Sequence, residues 1–62
     1  MNCNICKKHI RSGSHMYDAK VKGGGWAYMC TECFRKLGVG LGTGKGQKYR
    51  VGKGESLTKL EG

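Results

Sequence analysis

Two Cys-x-x-Cys pairs constrain this chain more than anything else in it. The first is Cys3-Asn4-Ile5-Cys6 and the second, twenty-three residues further on, is Cys30-Thr31-Glu32-Cys33. Cysteines at this spacing reach one tetrahedral metal ion while the backbone N–H groups between them face the sulfurs. Two pairs complete a four-thiolate shell, which fits one zinc ion and leaves no position open for water. Such a site is structural rather than catalytic. Two disulfides are the alternative, and they need an oxidising compartment. No apolar run reaches the length of a signal-peptide core or a membrane span, so the expected setting is cytoplasmic, with thiols reduced and no membrane contact. His9 and His15 are spare imidazoles that a full shell does not need.

The zinc matters because the chain has little else to hold it. At 62 residues, a fold buries only about 60% of the surface its unfolded chain exposes. With 37% apolar and 8% aromatic residues, the core is small. A structural zinc ion contributes an apparent 10–16 kcal/mol or about that in finger peptides, so the metal-free chain is expected to be unfolded or molten.

Three segments follow from local patterns. Residues 1–37 read as a zinc-binding finger. Its first eight residues form a cysteine turn, and residues 10–14 are a polar connection. His15 to Val21 favours a strand, with Tyr17, Ala19 and Val21 on one face and Met16, Asp18 and Lys20 on the other. Gly23-Gly24-Gly25 signals a turn, and Trp26-Ala27-Tyr28-Met29 is the return strand. Thr31 to Leu37 reads as a short helix, with Thr31 as its cap, Glu32 in its first turn and Gly38 as its terminator. Residues 38–54 read as a Gly-rich basic arm, partly flexible, because glycine alternates strictly from Gly38 to Gly46. Val39 and Leu41 are the residues able to pack it back on the finger. Residues 55–62 read as a disordered tail. The fold class is thus a small metal-stabilised α+β unit: knuckle, β-hairpin and short helix, with a flexible tail.

That order, with two Cys-x-x-Cys pairs and with Trp26 and Phe34 around the second, resembles the treble-clef zinc finger. It is similar in layout to GATA-type and LIM-type fingers, with a longer spacer. A zinc ribbon is the alternative, and the helical pattern of Thr31–Leu37 argues against it. The chain also resembles small zinc-finger proteins encoded by bacteriophages of Gram-positive bacteria. That resemblance rests on Trp26-Ala27 before the second pair and on the Gly38–Tyr49 run after it. It implies a phage origin and a host-cell cytoplasmic setting.

Charge directs the functional expectation. Twelve Lys and Arg against four Asp and Glu give +8, which a four-thiolate zinc site of net −2 lowers to about +6. Lys45, Lys48, Arg50 and Lys53 interleave with Tyr49 in the arm, and Arg35 and Lys36 lie on the helix. Together they are candidate contacts to nucleic acid, DNA or RNA, by phosphate pairing and base stacking. The bland role of Arg35, Lys36, Lys7 and Lys8 is to offset the thiolates. The alternative function is a monomeric protein-interaction module, for example one docking on host transcription or replication machinery. Trp26, Tyr28 and Met29 are expected to pack around the zinc, and exposure of any of them beyond what the core needs would favour such a partner. No enzyme is expected. Asp18, Glu32, Glu55 and Glu61 form no paired-carboxylate pattern, and there is no serine–histidine pattern. Gly44-Lys45 lacks the glycine and the Ser or Thr that a phosphate-binding loop needs, since Val39 and Gly46 stand there.

Overall fold

Alternation between apolar and polar residues sets up the first hairpin. The computed structural model describes residues 1–62 and contains β1 (His15–Lys20) and β2 (Trp26–Met29), paired antiparallel with Tyr17 opposite Met29 and Lys20 opposite Trp26. The turn closes through Val21 N–H to Gly25 O at 2.9 Å. Helix α1 (Thr31–Leu37) follows β2 after a single residue. Its N-cap is Cys30, with no side-chain cap, so the capping role expected of Thr31 is not filled. Gly38 ends the helix as anticipated, its N–H donating to Phe34 O at 2.8 Å.

The segment expected to be a flexible arm is instead an ordered connection followed by a strand. β3 (Gly46–Val51) pairs antiparallel with β1, and β4 (Leu57–Glu61) pairs with β3, which gives one sheet in the order β2-β1-β3-β4. The partition into finger, arm and disordered tail is therefore corrected: residues 46–51 are an inner strand and residues 57–61 an edge strand of the sheet that also holds the finger's hairpin. The physical reason lies in β1, which has two edges. β2 satisfies one row of its N–H and C=O groups, and β3 takes the other.

Glycine alternation serves this arrangement. The chain from α1 to β3 bonds to the end of β1, through Val39 N–H to Lys20 O at 3.0 Å and Lys20 N–H to Lys45 O at 2.8 Å. At Gly46 a Cβ would stand 2.5 Å from the Ala19 Cβ and 2.8 Å from Gly40 O, and at Gly38 it would stand 2.7 Å from Phe34 O. These two glycines permit close approach rather than flexibility. Leu41 is half-buried against the core, whereas Val39 is exposed.

Directly paired residues share a sheet face. Tyr17, Ala19 and Met29 face α1, where the Phe34 ring stacks on Tyr17 with centroids 4.1 Å apart and planes 7° from parallel. Met16 and Val51 lie on the opposite face and are also buried, joined in the core by Ile10 and Met1 of the N-terminal segment. That segment is tied down by Ile10 N–H to Met1 O at 2.7 Å and by Val51 N–H to Ser14 O at 2.9 Å. Gly46→Ala is expected to lower stability by about 1–3 kcal/mol, the range for overpacking a tight site. Chemical denaturation of the metal-loaded protein measures it, and an unchanged midpoint would show that residues 38–46 yield freely.

Candidate metal centre

The Cys3–Cys6 turn is a compact knuckle held by its own backbone. Cys3 N–H donates to Lys8 O at 2.9 Å, Lys7 N–H donates to Cys3 O at 3.0 Å, and Ile5 N–H reaches Cys3 Sγ at 3.4 Å. Lys7 closes this turn with φ +67°, in the left-handed region. Asn4 ties the knuckle to the outer edge of β2: its N–H donates to Tyr28 O at 2.8 Å, and its Oδ1 accepts from Tyr28 N–H, also at 2.8 Å. The end of β2 then delivers Cys30, and the first turn of α1 delivers Cys33.

All four sulfurs lie within 4.8 Å of one another, Cys6 and Cys30 at 3.8 Å, and all four cysteines are free. A tetrahedron of metal–sulfur bonds near 2.3 Å has edges of about 3.8 Å, so the donor set fits one metal ion. Cys3 and Cys33 are buried, Cys30 is half-buried and Cys6 faces solvent. The structure thus brings together all four cysteines that the sequence marked. His9 stands apart, its Nδ1 within 3.1 Å of Asn2 Oδ1, and His15 lines a neighbouring groove with Cys30 and Thr31. Lys8 bridges the two halves of the centre to Glu32 at 3.5 Å, an exposed pair of small energetic weight.

The sulfurs differ in acidity. Burial works to raise the Cys3 thiol, but backbone N–H groups of Cys6, Cys30 and Ile5 and a hydrogen bond with Cys33 outweigh it, bringing Cys3 from 9.0 down to about 6. Burial pushes Cys33 up to about 12, assisted by hydrogen bonds to Cys3, Cys30 and Cys6 and by the negative charge on Cys3. One thiolate is thus already favoured at neutral pH, while its partner gives up a proton only to a metal.

The residues expected to meet nucleic acid are not gathered on one surface. Arg35 and Lys36 are exposed on the last turn of α1. Lys45 and Lys53 flank the ends of β3, and Lys48 and Arg50 point to the helix-bearing face, Lys48 with its Nζ 6.0 Å from the Tyr17 ring centre. Tyr49 lies on the opposite face, half-buried against the core and donating its hydroxyl to Gln47 at 3.1 Å. Trp26 and Tyr28 do not pack around the cysteines as expected. They are 51% and 46% exposed, on the face away from α1. Alternation in β1 and β2 was the signal that could have shown it, because Trp26 and Tyr28 pair with Lys20 and Asp18 rather than with Tyr17 and Ala19. No helix is long and apolar enough to cross a membrane. No family model, curated protein or solved structure matches the chain.

Two outcomes follow for the centre. Cys33→Ser, or removal of the ion by a strong chelator, is expected to abolish the dispersed amide spectrum, since the remaining core cannot replace about 10 kcal/mol of metal binding. A variant that kept dispersion and one bound metal per chain would refute this. Metal affinity should also fall as pH is lowered. Each thiol that must give up its proton to the ion costs about tenfold in affinity per pH unit, and Cys33, pushed up to about 12, is one of them at pH 7 and below. Below about 6, Cys3 must lose a proton as well, so the dependence steepens there. A competition titration against an indicator chelator across this range reads both slopes.

Proposed function

We propose that the chain is a small zinc-binding module that binds nucleic acid through its basic surface. Four thiolates within 4.8 Å suit a tetrahedral ion, which we read as zinc, and sulfurs this close suit a single ion rather than a multinuclear cluster. With its shell closed by protein, the ion supplies stability and no reactive position, which supports a binding role and not an enzymatic one. The order of knuckle, hairpin and helix supports reading the metal-bearing half as treble-clef-like.

The observation that carries the nucleic-acid reading is unspent charge. Of the twelve Lys and Arg residues, only Lys8 lies in an ion pair, and all but the half-buried Lys48 are exposed. Eleven cations without an acidic partner on 62 residues produce a field that attracts polyanions and gains from releasing their counterions. The exposure of Trp26, Tyr28, Leu57 and Leu60 favours a second reading, a protein partner met through apolar anchors.

Salt separates the two. Fluorescence anisotropy of a labelled single-stranded DNA 12-mer and of a duplex of the same sequence, titrated with zinc-loaded protein across a salt series, measures the number of phosphates engaged. Four contacts give a slope of log K against log salt of about −3 on the single strand and about −3.6 on the duplex. Absence of binding to either at low salt would remove the nucleic-acid reading and leave the protein-partner one.

A further inference from the structure

One face of the sheet is left over after the core and the metal centre are built. Cross-strand pairing assigns its members: Lys20 opposite Trp26, Tyr28 and Gln47 on either side of Asp18, and Lys59 opposite Tyr49. α1 covers the other face, and the N-terminal segment joins the core around Met16 and Val51. What stays open is the end bearing Trp26 and Tyr28, the two most exposed aromatic rings in the chain, with a shallow groove between them lined by Asn4, Asp18 and Ala27.

Deepening the nucleic-acid reading above and resting on it, we propose that this face binds a single-stranded nucleic acid, with successive bases stacked on Trp26 and Tyr28 and phosphates held by Lys20, Lys45 and Lys59. Residues two apart on a strand present their rings about 7 Å apart on one face, a spacing at which each ring takes its own base from an extended strand. Lys20 is directly opposite Trp26, the backbones of Lys20 and Lys45 are bonded at 2.8 Å, and Lys59 stands on β4 at the far edge of the sheet, where a strand crossing this face from the rings would meet it. None of the three is in an ion pair, and all are exposed.

Asp18 decides between single strand and duplex. Its carboxylate sits in the groove beside the rings and has no cationic partner, so it repels a backbone laid across the groove. It accepts hydrogen bonds from the amino edge of an unpaired base, which a duplex does not present to a flat face. A duplex also keeps its bases stacked on each other and gives the two rings nothing to hold. The backbone beneath the rings is held in place, because Asn4 bonds both the N–H and the C=O of Tyr28 at 2.8 Å and so ties this strand to the cysteine knuckle.

Trp26 is the sole tryptophan, so its fluorescence reports the contact directly. Zinc-loaded protein is titrated with a 12-mer of mixed single-stranded DNA, with its duplex, and with the RNA of the same sequence. Binding of a single strand should quench Trp26 and exceed duplex binding. Trp26→Ala and Tyr28→Ala should each weaken single-strand binding about tenfold, and Trp26→Phe should restore most of it, because a stacking ring remains. Thr58→Ala, exposed opposite Arg50 on the helix-bearing face, should change it less than twofold. Metal content and amide dispersion confirm that each variant is folded. Single-strand binding that persists in Trp26→Ala and Tyr28→Ala, or that leaves Trp26 unquenched, would overturn the assignment of this face while leaving nucleic-acid binding intact. Tighter binding of duplex than of single strand would do the same. No binding of any polymer at low salt would overturn the broader reading as well and point to a protein on the aromatic pair.

Discussion

Four sulfurs within 4.8 Å of one another are placed to hold one metal ion, and the rest of the fold is built around that cluster. As thiolates they repel, and as thiols they contribute little that would draw residues 3 and 6 to residues 30 and 33. The opposed acidities of Cys3 and Cys33 express that tension, since holding one as thiolate forces the other to keep its proton. Everything else in the fold is arranged around satisfying it. The knuckle is fastened to β2 through Asn4, and β2 and α1 meet at Cys30, so ligand positions on three elements converge on one point.

Beyond that point the chain builds its core from few residues, and it does so on both faces of one strand. β1 contributes Tyr17 and Ala19 to the helix side and Met16 to the other, so it is buried on both. The stacked Tyr17–Phe34 pair joins helix to sheet, and Met16 with Val51, Ile10 and Met1 joins the sheet to the N-terminal segment. A strand used in this way needs neighbours on both edges. β3 is the neighbour that the finger alone lacks, and it draws Gly46 against Ala19 at a distance no larger residue permits.

The legible part of the sequence was the part with strong local signals. The cysteine spacing carried the ligand set, the triple glycine and its flanking alternation carried β1 and β2, and the periodicity after Cys30 carried α1 with its end at Gly38. β3 was not legible. Its start follows strict glycine alternation, which reads as freedom when the strand it packs against is unknown, and its cations read as solvated charge rather than as outward positions of an inner strand. β4 is short and exposed throughout, and nothing local distinguishes it from a frayed terminus. Pairing with β3, a long-range term, makes it a strand. The displacement of Trp26 and Tyr28 has the same origin. Counting apolar residues assigned them to the core, whereas register with Lys20 and Asp18 turned them outward.

Register also gives the molecule its division of labour. The cysteine cluster and the helix occupy the face and end that carry Tyr17, Met29 and Cys33, leaving the opposite face free of any structural duty near Trp26 and Tyr28. Two large rings exposed on a chain this poor in apolar residues represent burial forgone, since each would stabilise the core if turned inward. For a core of eight buried residues, an ion held by the four thiolates would supply the difference. The ion's role then extends past holding the fold. By replacing a larger core, it would allow aromatic side chains to remain on the surface, and by anchoring the knuckle bonded to the Tyr28 backbone it would hold the strand that carries them. A strand held at its backbone loses little freedom when its face is covered, which favours binding by a small flat surface.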